Sequence, residues 1–396
     1  MNPLSTRINK LETSQTLAMA ALARELKAQG KDIISLSLGE PDFFTPDFIK
    51  EAAKKAIDEN YSTYTPVDGY LELKQAICRK FKRDNQLEYK PSQIVVSTGA
   101  KQALYNIAQV MLNDGDEVIL PAPFWVSYFE IIKLSGGIPV EVPTTIESNF
   151  KITPSQLEAA ITPKTKMMWF SSPCNPSGSV YDKEELTALV AVLKKHPNIF
   201  VVSDEIYEHI NFSGTFCSIA TIDGMLDRTI TVNGVAKAFA MTGWRIGYMA
   251  APEFIAAACT KMQGQVTSGA NSIAQRATIA AVDANPEVLQ PMVIAFKKRR
   301  DLVVQLMQEI PNIKTNTPDG AFYVFPDVSW FFGKTLQGKL INNALDLSMH
   351  LLAEANVATV TGEAFGNPNC LRLSYATSQD LLIEAIKRIK NCLEKQ

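Results

Sequence analysis

Thr231-Val232-Asn233-Gly234-Val235-Ala236-Lys237-Ala238-Phe239-Ala240-Met241-Thr242-Gly243-Trp244-Arg245-Ile246-Gly247-Tyr248 is the stretch that decides how this chain is read. It continues an apolar run at Thr229 to Val232, sets one Lys among Val, Ala, Phe and Met, and reaches Arg245 just before a second apolar run at Ile246 to Ala250. A Lys held in apolar surroundings has a lowered pKa and can form a Schiff base with a carbonyl compound. Taken singly, a snorkelling surface Lys has the same signature.

Working outward, these two runs are the last of seven. The others are Ile94 to Ser97, Glu117 to Leu120, Ile138 to Val142, Lys166 to Phe170 and Ile199 to Val202, and helical patterns lie between them. Runs that alternate with helices predict a mostly parallel sheet with crossover helices, and several are apolar on both faces, as buried parallel strands are. Asp182 to Lys195 reads as a helix with Asp182 at the N-cap and Glu185 at the capping-box position. After a long helix at Pro286 to Glu309 the pattern changes. Isolated strands (Phe322 to Phe325, Val357 to Val360, Leu371 to Tyr375) fall between helices (Lys339 to Asn356, Ser378 to Glu394), which predicts a second, smaller α+β unit. Residues 1 to about 25 have weak periodicity and read as an arm.

The strand ends carry the chemistry. Ser97-Thr98-Gly99-Ala100-Lys101-Gln102 opens a helix after a strand, where a Gly turn aims helical N–H groups at an anion such as phosphate. By itself it reads more readily as a plain βα turn with a helpful Gly. Ser172-Pro173-Cys174-Asn175-Pro176-Ser177-Gly178 has ordinary turn chemistry. Asp204 ends an apolar strand, the place where open α/β sheets bind ligands, though a solvated strand-end Asp is the plain alternative.

Composition narrows the class. The 39 Lys and Arg against 41 Asp and Glu leave a net charge of −2, spread along the chain, so nothing attracts nucleic acid or anionic membrane electrostatically. Apolar runs break well before the roughly 18 residues of a membrane span, and Thr16 to Ala23 is too short for a signal segment. Six scattered cysteines without a Cys-x-x-Cys pair fit reduced thiols and a cytoplasmic location. Three histidines without i, i+4 partners make a metal site unexpected. Neither a dinucleotide glycine fingerprint nor a P-loop is present, against a nicotinamide dehydrogenase.

In order, Gly99-Ala100-Lys101, Asn175-Pro176-Ser177-Gly178, Asp204 with Tyr207, Lys237 with Arg245, and Arg372 resemble the class I aminotransferases of the fold-type I pyridoxal 5'-phosphate enzymes. The likeness spans essentially the whole chain and is strongest to the prokaryotic aspartate aminotransferase group, through Ser203-Asp204-Glu205-Ile206-Tyr207 and Ala236 to Arg245. It implies an N-terminal arm with part of the small domain over residues 1–44, a large cofactor-binding domain over 45–296 with the seven-stranded sheet between helices, and a small C-terminal domain over 297–396. It implies a homodimer with shared active sites acting on small amino acids and 2-oxo acids, with no nucleic acid, membrane or metal partner.

The resemblance also implies roles. Lys237 would carry the cofactor as a Schiff base and move the substrate proton, Asp204 would pair with the pyridine nitrogen, and Tyr207 and Asn175 would hydrogen-bond the ring oxygen. Trp125 would stack on the ring, while Arg245, Gly99 and the backbone of Ala100 and Lys101 would hold the phosphate with Tyr64 from the partner subunit. Arg372 would take the substrate carboxylate near Gly39, and Lys101, Ser14 and Thr16 would select a second carboxylate. Lys101 as a solvated first-turn Lys, with the two hydroxyls as caps, is the bland alternative. The implied reaction is amino transfer from aspartate to 2-oxoglutarate in two half-reactions; prephenate or neutral and aromatic substrates, a lyase on the same fold, and a non-enzymatic sensor are the alternatives. Four positions depart from the family pattern: Gly234 in place of a phosphate-binding Ser, Ser177 in place of Thr, and Asp68 and Tyr70 beside Gly69, where a changed active-site rim is expected.

Overall fold

The computed structural model describes residues 3–394. All seven expected strands form one sheet, in the order Ile94–Ser97, Gly247–Ala250, Thr229–Gly234, Phe200–Asp204, Thr165–Ser171, Glu117–Ala122, Ile138–Pro143. Six strands run parallel and Gly247–Ala250 runs against them. Side-chain alternation assigns the two faces. Val95, Val118, Leu120, Met167, Trp169, Val202, Val232 and Met249 pack with the Ala100–Met111, Val126–Leu134 and Glu253–Val266 helices. Ile119, Met168, Phe170 and Val201 face the Lys183–Leu193 helix, and Ile94, Val96, Tyr248 and Ala250 face the Asp47–Asp58, Leu71–Asn85 and Ser272–Asp283 helices. The sheet is therefore buried on both sides, as its continuous apolar runs require. The capping box forms as expected: Glu185 N–H donates to Asp182 Oδ1 at 2.7 Å and Asp182 N–H to Glu185 Oε2 at 2.9 Å.

Register brings one edge of the sheet to a point. Ser171 lies beside Asp204, Asp204 beside Val232, and Gly234 and Ser97 both beside Gly247. The carboxyl ends of four parallel strands thus open on one crevice.

A second core gathers the Gln290–Gln308 and Gln379–Glu394 helices around an antiparallel sheet of Val360–Thr361, Leu371–Ser374 and Tyr323–Val324. Three elements differ from the sequence expectation. The Val357 to Val360 run is split at Thr359: Val357–Ala358 pairs in parallel with Ile34–Ser35, and Val360–Thr361 joins the other sheet. Residues 339–341 form a hairpin strand against Lys334–Leu336, and the following helix starts only at Ala344, where Asn343 accepts from Asp346 N–H at 2.8 Å. Residues 286–289 make a single 3₁₀ turn capped by Asn285, and the α-helix begins at Gln290. The arm contains the Gln15–Ala28 helix, whose Met19 and Ala23 pack on Leu352 and Ala358.

Among the described residues no helix is long and apolar enough to cross a membrane, no group of three His, Cys, Asp or Glu could hold a metal, and no disulfide is formed.

Candidate active site

The crevice is a cavity of about 370 Å³, and every sequence-predicted site residue except Tyr64 lines it. Tyr64 is 95% exposed, beside a separate depression formed with Thr267 to Ser272. Asp68 and Tyr70 also lie outside the cavity, against the expectation of a changed rim: Asp68 is ion-paired with Lys74, and Tyr70 packs edge-on against Tyr61.

Lys237 stands three residues beyond the Thr229–Gly234 strand, and its Nζ donates to the Gly39 carbonyl. Burial, then the Arg372 and Arg245 charges, outweigh Glu40 and Asp204 and hold its pKa down to about 8. Asp204 ends its strand only 4% exposed. Burial pushes its carboxyl up to about 6, even though it accepts from the Tyr128 hydroxyl at 2.6 Å and from Ile206 N–H at 3.2 Å. A carboxylate so placed calls for a cationic partner.

Arg372 is almost fully buried. One terminal nitrogen donates to Asn175 Oδ1 at 3.0 Å and the other to the Ser37 carbonyl at 2.6 Å, while Nε has no partner. A guanidinium has five N–H donors, so this one keeps donors for an anion.

At the other end, Gly99 has φ +80° and precedes the Ala100–Met111 helix. A side chain at 99 would collide with the Arg245 guanidinium, and one at Gly247 would collide with the backbone nitrogen of Ala100. Two side-chain-free positions thus let an arginine and a helix N-terminus converge, a cradle suited to a phosphate. At Gly234 a Cβ would lie 3.0 Å from the Ile246 carbonyl and the Gly247 Cα, so the smallest residue relieves crowding there.

Lys101 Nζ sits 4.9 Å from the centre of the Trp125 ring. Ser14 occupies the N-cap position of its helix without a side-chain cap bond, and Thr16 Oγ1 is buried without a partner, so neither hydroxyl is occupied in capping.

Several lining residues escaped the sequence reading, among them Tyr128, Tyr323, Glu40 and Thr242. Tyr128 lies one helical turn beyond Trp125, a spacing from which it could have been found. Tyr323 bonds the Tyr207 hydroxyl at 2.8 Å from an isolated two-residue strand that carries no such signal. Glu40 accepts from Thr242 Oγ1 across the cavity mouth.

This donor set fits pyridoxal 5'-phosphate: a phosphate cradle, a buried carboxylate lacking a cation, an amine of lowered pKa, and an unpartnered Ser171 Oγ in the wall. Residues 31–389 match the family model for aminotransferase class I and II. Over 98% of its length the chain is 50% identical to the aspartate/prephenate aminotransferase of Cereibacter sphaeroides, of which it covers 98%. It superposes on the aspartate aminotransferase of Rhizobium meliloti with a TM-score of 0.96 and 41% identity, with 100% of both chains covered. For the Thermus thermophilus aspartate aminotransferase with maleate the values are 0.92 and 41%, over 99% of this chain and 100% of that one. The crevice, its buried Lys237 and these full-length likenesses make the chain a member of the class I and II aminotransferases, enzymes that use pyridoxal 5'-phosphate.

Proposed function

We propose that the enzyme transfers the amino group of aspartate to 2-oxoglutarate, giving oxaloacetate and glutamate. The observation that carries this reading is the pairing, in one cavity, of a buried arginine that keeps free donors with a second cationic end made by Lys101 beside the uncommitted Ser14 and Thr16 hydroxyls. A dicarboxylate answers both ends. The Thermus relative with maleate, itself a dicarboxylate, supports it. Prephenate is the second substrate of this reading, because a mobile ammonium over an indole face is a looser receptor than an arginine fork, and the relative at 50% identity is an aspartate/prephenate aminotransferase.

When bound, pyridoxal phosphate supplies the electron sink that lets the substrate α-hydrogen leave as a proton. Arg245, Gly99 and the backbone of Ala100 and Lys101 would hold its phosphate, Asp204 would pair with the ring nitrogen, Tyr207 and Asn175 would hydrogen-bond the ring oxygen, and Trp125 would stack on the ring. Lys237 Nζ, with a pKa near working pH, takes the proton from the α-carbon and returns it, as a general base should. Arg372 fixes the α-carboxylate near Gly39 so that the α-hydrogen faces that amine. In the same reading the enzyme is a cytoplasmic homodimer in which Tyr64 reaches the partner's phosphate site, and residues 1–44, 45–296 and 297–396 form its arm, large domain and small domain. The exposure of Tyr64 supports the shared site, and sedimentation equilibrium of an active monomer would exclude it.

A half-reaction screen tests the substrate: each amino acid is added without oxo acid and the loss of the cofactor's visible absorbance is followed. Aspartate and glutamate are expected ahead of alanine and phenylalanine, and equal responses to all four overturn the assignment.

A further inference from the structure

Tyr323 is fully buried in the wall of the site and contacts both Tyr207 and Arg372. Its hydroxyl meets that of Tyr207 at 2.8 Å, and its ring centre lies 4.7 Å from Cζ of Arg372. The second contact follows from the sheet, where Tyr323 pairs with Ser374, two residues along the strand from Arg372. Gly39 completes the arrangement: a Cβ there would collide with the Tyr323 hydroxyl, so the absence of a side chain lets the phenol sit against the backbone whose carbonyl accepts from Lys237.

The segment leading to Tyr323 is tied to the elements that carry the other site residues. Asn316 Nδ2 donates to the Ser177 carbonyl at 3.1 Å, and Asp319 and Gly320 N–H both donate to the Gly178 carbonyl at 2.9 Å, in the turn that holds Asn175. Ala321 N–H donates to the Ile210 carbonyl at 2.8 Å, just beyond Tyr207. Ala321 keeps a left-handed φ of +56°, a conformation that persists only where the surroundings over-determine it. The position of Tyr323 is thus fixed from three sides.

We propose that Tyr323 is a positioning residue for both halves of the chemistry: its hydroxyl donates to Tyr207, leaving the Tyr207 proton for the cofactor, and its ring face holds the Arg372 guanidinium in the plane that receives a carboxylate. Two hydroxyls in contact share one proton between them, so donation by Tyr323 commits the Tyr207 proton elsewhere, and accepting a hydrogen bond makes Tyr207 the stronger donor. The inference rests on the aminotransferase reading above.

The test uses the holoenzyme and the variants Tyr323→Phe and Tyr323→Leu, with maleate as a non-reacting dicarboxylate and the absorbance of the bound cofactor followed against pH. Besides Tyr323, the charged and titratable groups facing Tyr207 are Asp204, Lys237 and Arg372, and none of the three is itself substituted in either variant. Tyr323→Phe keeps the ring and is expected to bind maleate within about twofold of wild type, while its titration midpoint rises by a few tenths of a unit because an anionic ring oxygen loses part of its donor. Tyr323→Leu is expected to weaken maleate roughly tenfold as well. An unshifted midpoint in Tyr323→Phe overturns the hydroxyl role, and wild-type maleate affinity in Tyr323→Leu overturns the ring role. If Tyr323→Leu does not fold, Tyr323→Phe alone decides through its midpoint. Failure of the aminotransferase reading is separate, since wild-type absorbance would then not respond to any amino acid.

Discussion

The phenol of Tyr128 donates to Asp204 Oδ2 at 2.6 Å, a buried contact between residues 76 apart in sequence. Tyr128 is held by edge-on contacts with Trp125 and Trp169, and its own pKa is driven well above the ordinary phenol value, by burial first and Asp204 second, so it remains a donor. This bond opposes the burial that raises Asp204.

Tyr128→Phe removes the donor and keeps the ring. The Asp204 carboxyl then rises further above about 6, and at neutral pH more of it is protonated and unable to pair with a ring cation. We expect kcat/KM at pH 7 to fall roughly tenfold, with the acid limb of the pH profile displaced to higher pH. Profiles that superimpose on wild type would separate Tyr128 from the protonation of Asp204.

Lys237→Ala removes the amine that bonds Gly39 and, in the reading above, moves the proton. The phosphate cradle at Gly99 and Arg245 is untouched, so cofactor should still copurify or bind on addition, while turnover falls by roughly a thousandfold or more. Rates near wild type in single-turnover assays would remove Lys237 from the chemistry.

Much of this was legible in the sequence because the large sheet is written in continuous apolar runs with function at the strand ends. Asp204, Gly99 and Lys237 all follow such runs, and their order joined them through its resemblance to the class I aminotransferases. Tyr323, Glu40 and the split at Thr359 were not legible. Each depends on a contact between segments far apart in sequence, such as Thr359 lying between strands that pair with Ile34–Ser35 and Leu371–Ser374, and local periodicity has no access to pairing partners. Helix starts failed for a local reason: Asn343 caps from within a pattern that otherwise reads as helix.

Lys101→Ala separates a cofactor role from a substrate role. If its ammonium receives the distal carboxylate, kcat/KM for aspartate should fall roughly ten- to a hundredfold, the loss of one charge-assisted contact, with alanine nearly unaffected. Equal losses for aspartate and alanine would assign Lys101 to the phosphate or to its contact with Trp125.

Glu205 offers a test of stability rather than catalysis. It is fully buried, with Oε1 accepting from Ser203 at 2.9 Å and Ser218 at 2.6 Å, and Oε2 without a partner. Burial, with the Glu208 carboxylate second, pushes it from the ordinary 4.5 of a glutamate up to about 8. The folded pKa is raised, so the folded state binds this proton more tightly than the unfolded chain does. The carboxyl therefore carries no ionisation cost below pH 4.5, and a cost that grows as pH climbs toward 8. Glu205→Gln keeps the shape and removes the titration. Its stability relative to wild type should improve by about 2 to 4 kcal/mol between pH 5 and pH 8. Urea denaturation at several pH values measures that difference, and an offset constant with pH would mean that Glu205 keeps the same protonation state in the folded and unfolded chains.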